Sequence, residues 1–293
     1  MKKWILLFGC LLSASAIHAQ SLESTPFTLP EKIPTKIVVM DFGALDTLDA
    51  LSVKGIVGLP KDSTPKYLAQ YNTAQYVNVG GMKSPDIDAI KAAKADFMII
   101  SGRQGAAYEQ LAQIAPTMKY TADPKNYLNS VQNNIQQLAK IVGKEQEANQ
   151  QLRELNQKLD SVKKVAQKSS LKALVVLHNE GKLMVSNSSY AQFIHHILSV
   201  KQADSQLANI RKTVDAEYLN HINPDIIFIV DRSGAIGKTP FNLNFFDQES
   251  FEHIKAIKQN RIVYLTPDLW YLSGNGLQSM ALQAQEVSQA LKK

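Results

Sequence analysis

Two arginines stand at matching places in two separate segments. Asp96-Phe97-Met98-Ile99-Ile100-Ser101-Gly102-Arg103 parallels Asp225-Ile226-Ile227-Phe228-Ile229-Val230-Asp231-Arg232. In each, an aspartate opens a short apolar run, and an arginine follows just beyond it. A helical stretch precedes each run, Ser84 to Ala93 in the first and Val214 to His221 in the second. Runs of this kind read as buried strands of an open α/β sheet, whose ligands bind outside the carboxyl ends of the strands. Each arginine then sits at the binding edge of its own sheet, and the two face each other across a cleft. A guanidinium group is permanently charged and presents a planar fork of donors suited to flat anionic oxygens. A single arginine of this kind reads equally well as solvating a strand end. The matched pair favours a large anionic guest.

The segment Leu269-Trp270-Tyr271-Leu272-Ser273-Gly274-Asn275-Gly276 follows the last strand. Trp270 and Tyr271 at a strand exit form a plausible aromatic wall, with core packing the equal alternative. The Tyr271 phenolate is a hard oxygen ligand suited to Fe(III). A ferric tris-catecholate, or a bis-catecholate that leaves iron positions open, would be held by guanidinium groups with aromatic side chains on its rings. Other candidates carry less. His195 and His196 fall in a helical stretch, Phe193 to Val200, where neighbours point about 100° apart and do not share a metal. His178, His221 and His253 have no carboxylate or second histidine at ligand spacing. Asp46 reads as a helix-start residue and Asp41 as a strand-end hydrogen-bonding residue. Ser101-Gly102 and Ser273-Gly274 lack the G-x-S-x-G pattern of a nucleophile elbow, and Gly80-Gly81 is a turn with no Gly-Lys-Ser/Thr after it. These residues point to a binding protein with no catalytic constellation and no cofactor of its own.

The elements that position these residues divide the 293-residue chain. Residues 1–19 read as a secretory signal: Lys2 and Lys3, an apolar core from Trp4 to Ile17, and a cleavage site at Ala19. The one cysteine, Cys10, loosely suggests a lipid anchor, but apolar residues continue beyond it and soluble export to the periplasm is favoured. Residues 20–143 form an N-terminal α/β lobe, with strands at Lys36 to Met40, Ile56 to Leu59, Tyr76 to Val79 and Phe97 to Ser101. Residues 144–168 form one amphipathic helix, with Ala148, Leu152, Leu155, Leu159, Val162 and Val165 on its apolar face. A helix of this length suits a strut between lobes. Residues 169–293 form a C-terminal α/β lobe that ends in a helix from Leu277 to Leu291. The formal charge is +6, of which Lys2 and Lys3 supply two, and no basic run marks a nucleic-acid site.

From about Thr35 to its end, the chain resembles the periplasmic siderophore-binding proteins of ABC importers, and among them the enterochelin- and petrobactin-type catecholate binders. The stretches that carry the likeness are Val39-Met40-Asp41-Phe42-Gly43-Ala44-Leu45-Asp46-Thr47-Leu48-Asp49-Ala50-Leu51, Pro65-Lys66-Tyr67-Leu68, Ile99 to Gln104, Asn223-Pro224-Asp225, Val230-Asp231-Arg232 and Trp270 to Leu277. The resemblance implies two Rossmann-like lobes joined by one long α-helix, the class III arrangement. It implies a monomer that captures a ferric siderophore and hands it to an inner-membrane ABC permease. Arg103 and Arg232 match the family's catecholate-contacting arginines, and Tyr271 matches a tyrosine that can coordinate iron. Tyr190 stands where the family has a third arginine. The loop Ala208-Asn209-Ile210-Arg211-Lys212 lacks the family's histidine, and Arg211 or Lys212 would restore the positive charge. These departures leave open a siderophore that fills every iron position, or one of mixed catecholate, hydroxamate or imidazole type. Haem, a corrinoid or another metal chelate is the alternative guest. Glu109 and Glu252 are the candidates for permease docking, each on a helix of its own lobe.

Overall fold

The computed structural model describes residues 29–207 and 211–292. The signal segment, Cys10 and the loop residues Ala208, Asn209 and Ile210 lie outside the described residues. In the N-terminal lobe, β1 (Ile37–Val39), β2 (Ile56–Leu59), β3 (Val77–Asn78), β4 (Phe97–Ile100) and β5 (Thr117–Lys119) form one sheet in the order β3-β2-β1-β4-β5. Every pairing in it is parallel. The helices α1 (Phe42–Ala50), α2 (Ile87–Ala92) and α3 (Tyr108–Ala112) make crossovers. Strand order reverses between β1 and β4, which opens a crevice at their carboxyl ends. Residues alternate between the two faces. Ile37, Val39, Phe97 and Ile99 join one apolar cluster, and Val38, Met40, Met98 and Ile100 join another.

Two antiparallel helices leave this lobe. α4 (Tyr127–Val142) ends at Gly143, whose φ of 67° supplies the left-handed turn, and α5 (Glu145–Lys168) begins almost at once. At 24 residues α5 is about 36 Å long. Its buried face is Ala148, Leu152, Leu155, Leu159, Val162 and Ala166. Val165, expected on that face, is only half-buried, because a 3.6-residue period drifts toward Ala166 by the fifth turn.

The C-terminal lobe holds β6 (Lys172–Asn179), β7 (Lys182–Val185), β8 (Lys201–Gln202), β9 (Lys212–Thr213), β10 (Ile226–Asp231) and β11 (Ile262–Tyr264). The sheet order is β11-β10-β6-β7-β9, with β8 on the start of β6. β6 and β7 pair antiparallel through a tight turn in which Glu180 and Gly181 both have positive φ. Its short helices are α6 (Ser189–Gln192), α7 (Ala216–Ile222), α8 (Arg232–Ala235), α9 (Lys255–Lys258) and α10 (Pro267–Tyr271). After α6 the chain continues as a π-helix over Phe193–Ile197, inside the helical stretch expected at Phe193 to Val200. The last helix, α11 (Leu277–Ala290), is the one the sequence placed in the C-terminal lobe. It packs against α1 and α5.

The echo between the two arginine segments extends to their hydrogen bonds. Asp96 accepts from the Thr35 and Lys36 amides at 2.8 Å, and Asp225 accepts from the Lys172 amide at 2.9 Å. Each aspartate thus ties the start of its strand to the start of the neighbouring central strand. The core is shared as well. Val39 and Phe97 of one sheet, Leu155 of α5, Met280 of α11, and Val175 and Phe228 of the other sheet belong to one continuous apolar cluster. The joining helix is therefore embedded along the backs of both lobes. Leu155, 2% exposed, lies in the middle of it. Leu155→Ala should lower stability by about 2–5 kcal/mol in urea unfolding. A single transition is expected for both proteins, and two resolved transitions would show that the lobes keep separate cores.

Candidate functional site

On the N-terminal side, Arg103 is aimed by a network at the end of β4. The Ser101 hydroxyl accepts from the Arg103 amide at 3.1 Å. The Gln104 side chain accepts from the Ser101 amide at 2.8 Å and donates to the carbonyls of Met40 and Met82 at 3.3 and 2.5 Å. The turn bearing Arg103 is thereby fixed to β1 across the crevice. On the C-terminal side, Asp231 ends β10 and caps α8, accepting from the Gly234 amide at 3.0 Å. It also accepts from Tyr264 Oη at 2.6 Å, the Phe241 amide at 2.7 Å and His178 Nδ1 at 2.7 Å. Burial would raise this carboxyl, but these four donors outweigh it and hold it below the usual range. His178, given no partner by its sequence spacing, is thus paired with a carboxylate from a neighbouring strand. Its Nε2 accepts from the Gly181 amide at 3.0 Å, which makes Nδ1 the protonated nitrogen.

The two arginines converge on Tyr271. Arg103 Nη2 donates to the Tyr271 carbonyl at 2.8 Å, and Arg232 Nε donates to the Tyr271 hydroxyl at 2.9 Å. The guanidinium carbons lie 5.6 and 5.8 Å from the centre of the Tyr271 ring. Arg232 also donates through Nη1 to Asn179 Oδ1 at the end of β6. Among the described residues neither arginine forms an ion pair. Arg103, Tyr190 and Tyr271, with Asp41, Tyr120 and Tyr127, line a cavity of about 390 Å³ between the lobes. A larger cavity, about 820 Å³ under the Lys238–Asn242 loop, holds none of the expected ligand-binding residues.

Of the other expected residues, Tyr190 is half-buried beside Tyr271. Burial and the neighbouring Tyr271 phenol push its hydroxyl up to about 12, against the pull of Arg103, Arg211 and Arg232. Arg211 is exposed and close enough to act on Tyr190. Trp270 borders the cavity, but its ring is 1% exposed. It stacks edge-on against Phe193 and donates from Nε1 to Glu286 at 2.7 Å, so it packs the core and is not an aromatic wall. His195 is turned to the Val200 carbonyl, while His196 is exposed. Glu109 is exposed on α3. Glu252 is exposed as well, but it follows a single 3₁₀ turn and not the helix expected. The cause is the cluster of Phe241, Phe245, Phe246 and Phe251, which draws this stretch into successive tight turns.

Sequence reasoning missed Asn179 and misread Asp46. Asn179 ends a central strand, as the arginine segments do, so the same rule would have found it. Asp46 does not start its own helix; it lies inside α1 and caps α11. Its carboxylate accepts from the amides of Gln278 at 3.1 Å and Ser279 at 2.9 Å, and from Tyr67 Oη at 3.0 Å. Gly276 precedes α11, and a Cβ there would lie 2.1 Å from Asp46 Oδ1. Tyr120 and Tyr127 donate to the carbonyls of Asn275 at 3.0 Å and Gly274 at 2.8 Å. Asp41 caps α1 itself, accepting from Ala44 at 2.9 Å, so the helix-start role belongs to it.

The sequence pattern of the family described as Periplasmic binding protein matches residues 37–269. The chain belongs to this family. It is 35% identical to the petrobactin-binding protein YclQ of Bacillus subtilis over the full length of both. It is also similar to the crystal structure of that protein, with TM-score 0.86, 36% identity, and coverage of 89% of this chain and 93% of the other. The iron uptake ABC transporter substrate-binding protein PiuA of Streptococcus pneumoniae matches with TM-score 0.83, 36% identity, and coverage of 88% and 93%. The siderophore-binding protein BauB, bound to ferric iron and two molecules of acinetobactin, matches with TM-score 0.82, 28% identity, and coverage of 89% and 94%. The chain is thus a substrate-binding protein with the two-lobed class III fold, and not an enzyme. No described helix is long and apolar enough to cross a membrane.

The buried aspartates give the fold a pH dependence. Burial pushes Asp46 up to about 7 despite its donors, and Asp41 up to about 6 despite Ala44 and Arg103. Around neutral pH the folded chain holds protons that an unfolded chain, with aspartates at an ordinary 3.8, has released. This stabilisation is full below about pH 4 and is lost as pH rises through about 6 and then 7. The urea-unfolding free energy of the ligand-free protein should therefore fall between pH 4 and 7, by at most about 1.4 kcal/mol per pH unit per group. Asp46→Asn should flatten the decline, and an undiminished slope in that variant would assign the protons elsewhere.

Proposed function

We propose that the protein binds a ferric siderophore of catecholate or mixed catecholate type between its lobes and delivers it to an ABC permease for iron uptake. The observation that carries this reading is the convergence of Arg103 and Arg232, one from each lobe, on Tyr271, the first at its backbone carbonyl and the second at its phenol. Among the described residues no carboxylate pairs with either guanidinium, so both positive charges stay available to an anionic chelate. What YclQ and BauB bind, by their names, supports the siderophore class, and the PiuA name supports the importer. On this reading the mature chain is a periplasmic monomer released after residue 19, and Glu109 and Glu252 offer exposed acidic contacts to the permease. Tyr271 occupies the arginines in the ligand-free cleft and gives them up to the chelate. Closure is small, because α5 and the shared core bind both lobes along their backs.

Tryptophan fluorescence titration with ferric tris-catecholate, bis-catecholate and tris-hydroxamate complexes tests this reading. Saturable binding of the catecholates and none of the hydroxamate is expected. Arg103→Ala with Arg232→Ala should weaken catecholate binding by about 100-fold or more, from the loss of two charge-assisted contacts. Unchanged affinity would remove the arginines from the site. Tyr271→Phe keeps the ring and deletes the oxygen. It should weaken the bis-catecholate, whose iron has open positions, and spare the tris-catecholate; equal effects on both would exclude direct coordination.

A further inference from the structure

The cavity beside Arg103 and Tyr271 is bounded on one side by Tyr127. Pro124 and Tyr127 line it, and the same two residues line a second cavity of about 690 Å³. This second space also bridges the lobes. Lys125, Asn126 and Leu128 come from the start of α4, and Asn187, Gln192 and His196 come from the β7–α6 side. The partition between the two cavities is fixed, because the Tyr127 hydroxyl donates to the Gly274 carbonyl at 2.8 Å. Burial, Asp41 and Tyr190 hold that hydroxyl in its protonated form, and both of those neighbours line the arginine cavity.

The second cavity has a different chemistry from the first. Among the described residues its lining contains an ammonium, an imidazole and three side-chain amides, and no carboxylate. The carboxylate of Asp123 accepts from the Lys125 amide, and among the described residues the Lys125 ammonium forms no ion pair. Asn126 stands at the N-cap of the 16-residue α4 without bonding its first turn, and that turn holds no acidic residue. The positive end of the helix therefore adds to the charge of Lys125. Flat catechol rings suit the arginine cavity with its tyrosines, whereas this lining suits a small, localised anion.

We propose that the second cavity is a subsite for a carboxylate on the part of the siderophore that does not chelate iron. A ligand filling both spaces would place its ferric centre against Arg103 and Arg232 and its carboxylate against Lys125 and His196. The inference rests on the ferric-siderophore reading of the first cavity, and it adds a basis for choosing among siderophores with the same iron-binding groups.

The test uses two ferric tris-catecholates on one scaffold, whose iron has no open position, one with a pendant carboxylate and one with that group as its neutral methylamide. Calorimetry on the unmodified protein should show a preference for the carboxylate of about tenfold, falling as salt rises. Lys125→Ala with His196→Ala should abolish the preference and leave the neutral complex bound as before. Both residues are exposed, so the variant keeps its core. Equal affinity of the unmodified protein for the two complexes would overturn the subsite, as would a preference that survives in the variant. Arg103→Ala with Arg232→Ala should weaken both complexes alike. If it weakens neither, the arginine reading itself fails and the subsite falls with it.

Discussion

The carboxylate of Asp46 is the point on which the architecture turns. α11 starts after Gly276, which has no side chain to satisfy the first amides of the helix, and Asp46 supplies the missing acceptor from inside α1. A chain returning from the C-terminal lobe is thereby fastened to the N-terminal one. The close approach admits only glycine at 276, and the adjacent carbonyls are taken up by Tyr120 and Tyr127. With that turn seated, the end of α10 stands over the crevice between β1 and β4, and Tyr271 stands with it. The ligand cleft is in this sense a product of helix capping. A buried carboxyl is tolerated there because three donors meet it.

The same seating answers an electrostatic difficulty. Two guanidinium groups converging on one tyrosine repel each other, and a carboxylate between them would cancel the charge that the proposed function needs. The chain uses neutral partners. A backbone carbonyl, a phenol and the amide of Asn179 orient the arginines without neutralising them. Asp231, the one fully buried carboxylate beside Arg232, spends its oxygens on His178, Tyr264 and two backbone amides. Its charge is committed to holding the β10 end in shape. The positive potential of the cleft is preserved because the acceptors near it are either uncharged or already engaged.

How much of this was legible in the sequence follows from the range of the forces involved. The strands around Arg103 and Arg232 are local patterns, apolar runs opened by aspartate, so their positions and their common role at a sheet edge could be read directly. The apolar face of α5 was legible for the same reason, within one residue at its end. Trp270, Asp46 and Glu252 were harder because each is decided by a partner far away in the chain. Glu286 and Phe193 turn the Trp270 ring inward. Residues 278 and 279 give Asp46 its role, and a phenylalanine cluster breaks the helix expected around Glu252. Spacing cannot report such partners. Asn179 was within reach, since it occupies the kind of strand end that had already pointed to the arginines.

The continuous core sets how this protein can select a guest. A two-lobed binder that closes widely can wrap ligands of several sizes, with the energy of closure adding to each. Here the inner faces of both sheets, α5 and α11 share one apolar cluster, so hinge opening would expose residues such as Leu155 and Met280. The separation between Arg103 and Arg232 is then largely set before the ligand arrives. Little conformational entropy remains to be lost on binding, which favours affinity for a guest that fits. One that is too wide or too weakly anionic gains little from closure. On the proposed function, discrimination comes from the fixed distance between the guanidinium groups, from the oxygen of Tyr271, and from whatever part of the guest reaches beyond Tyr127.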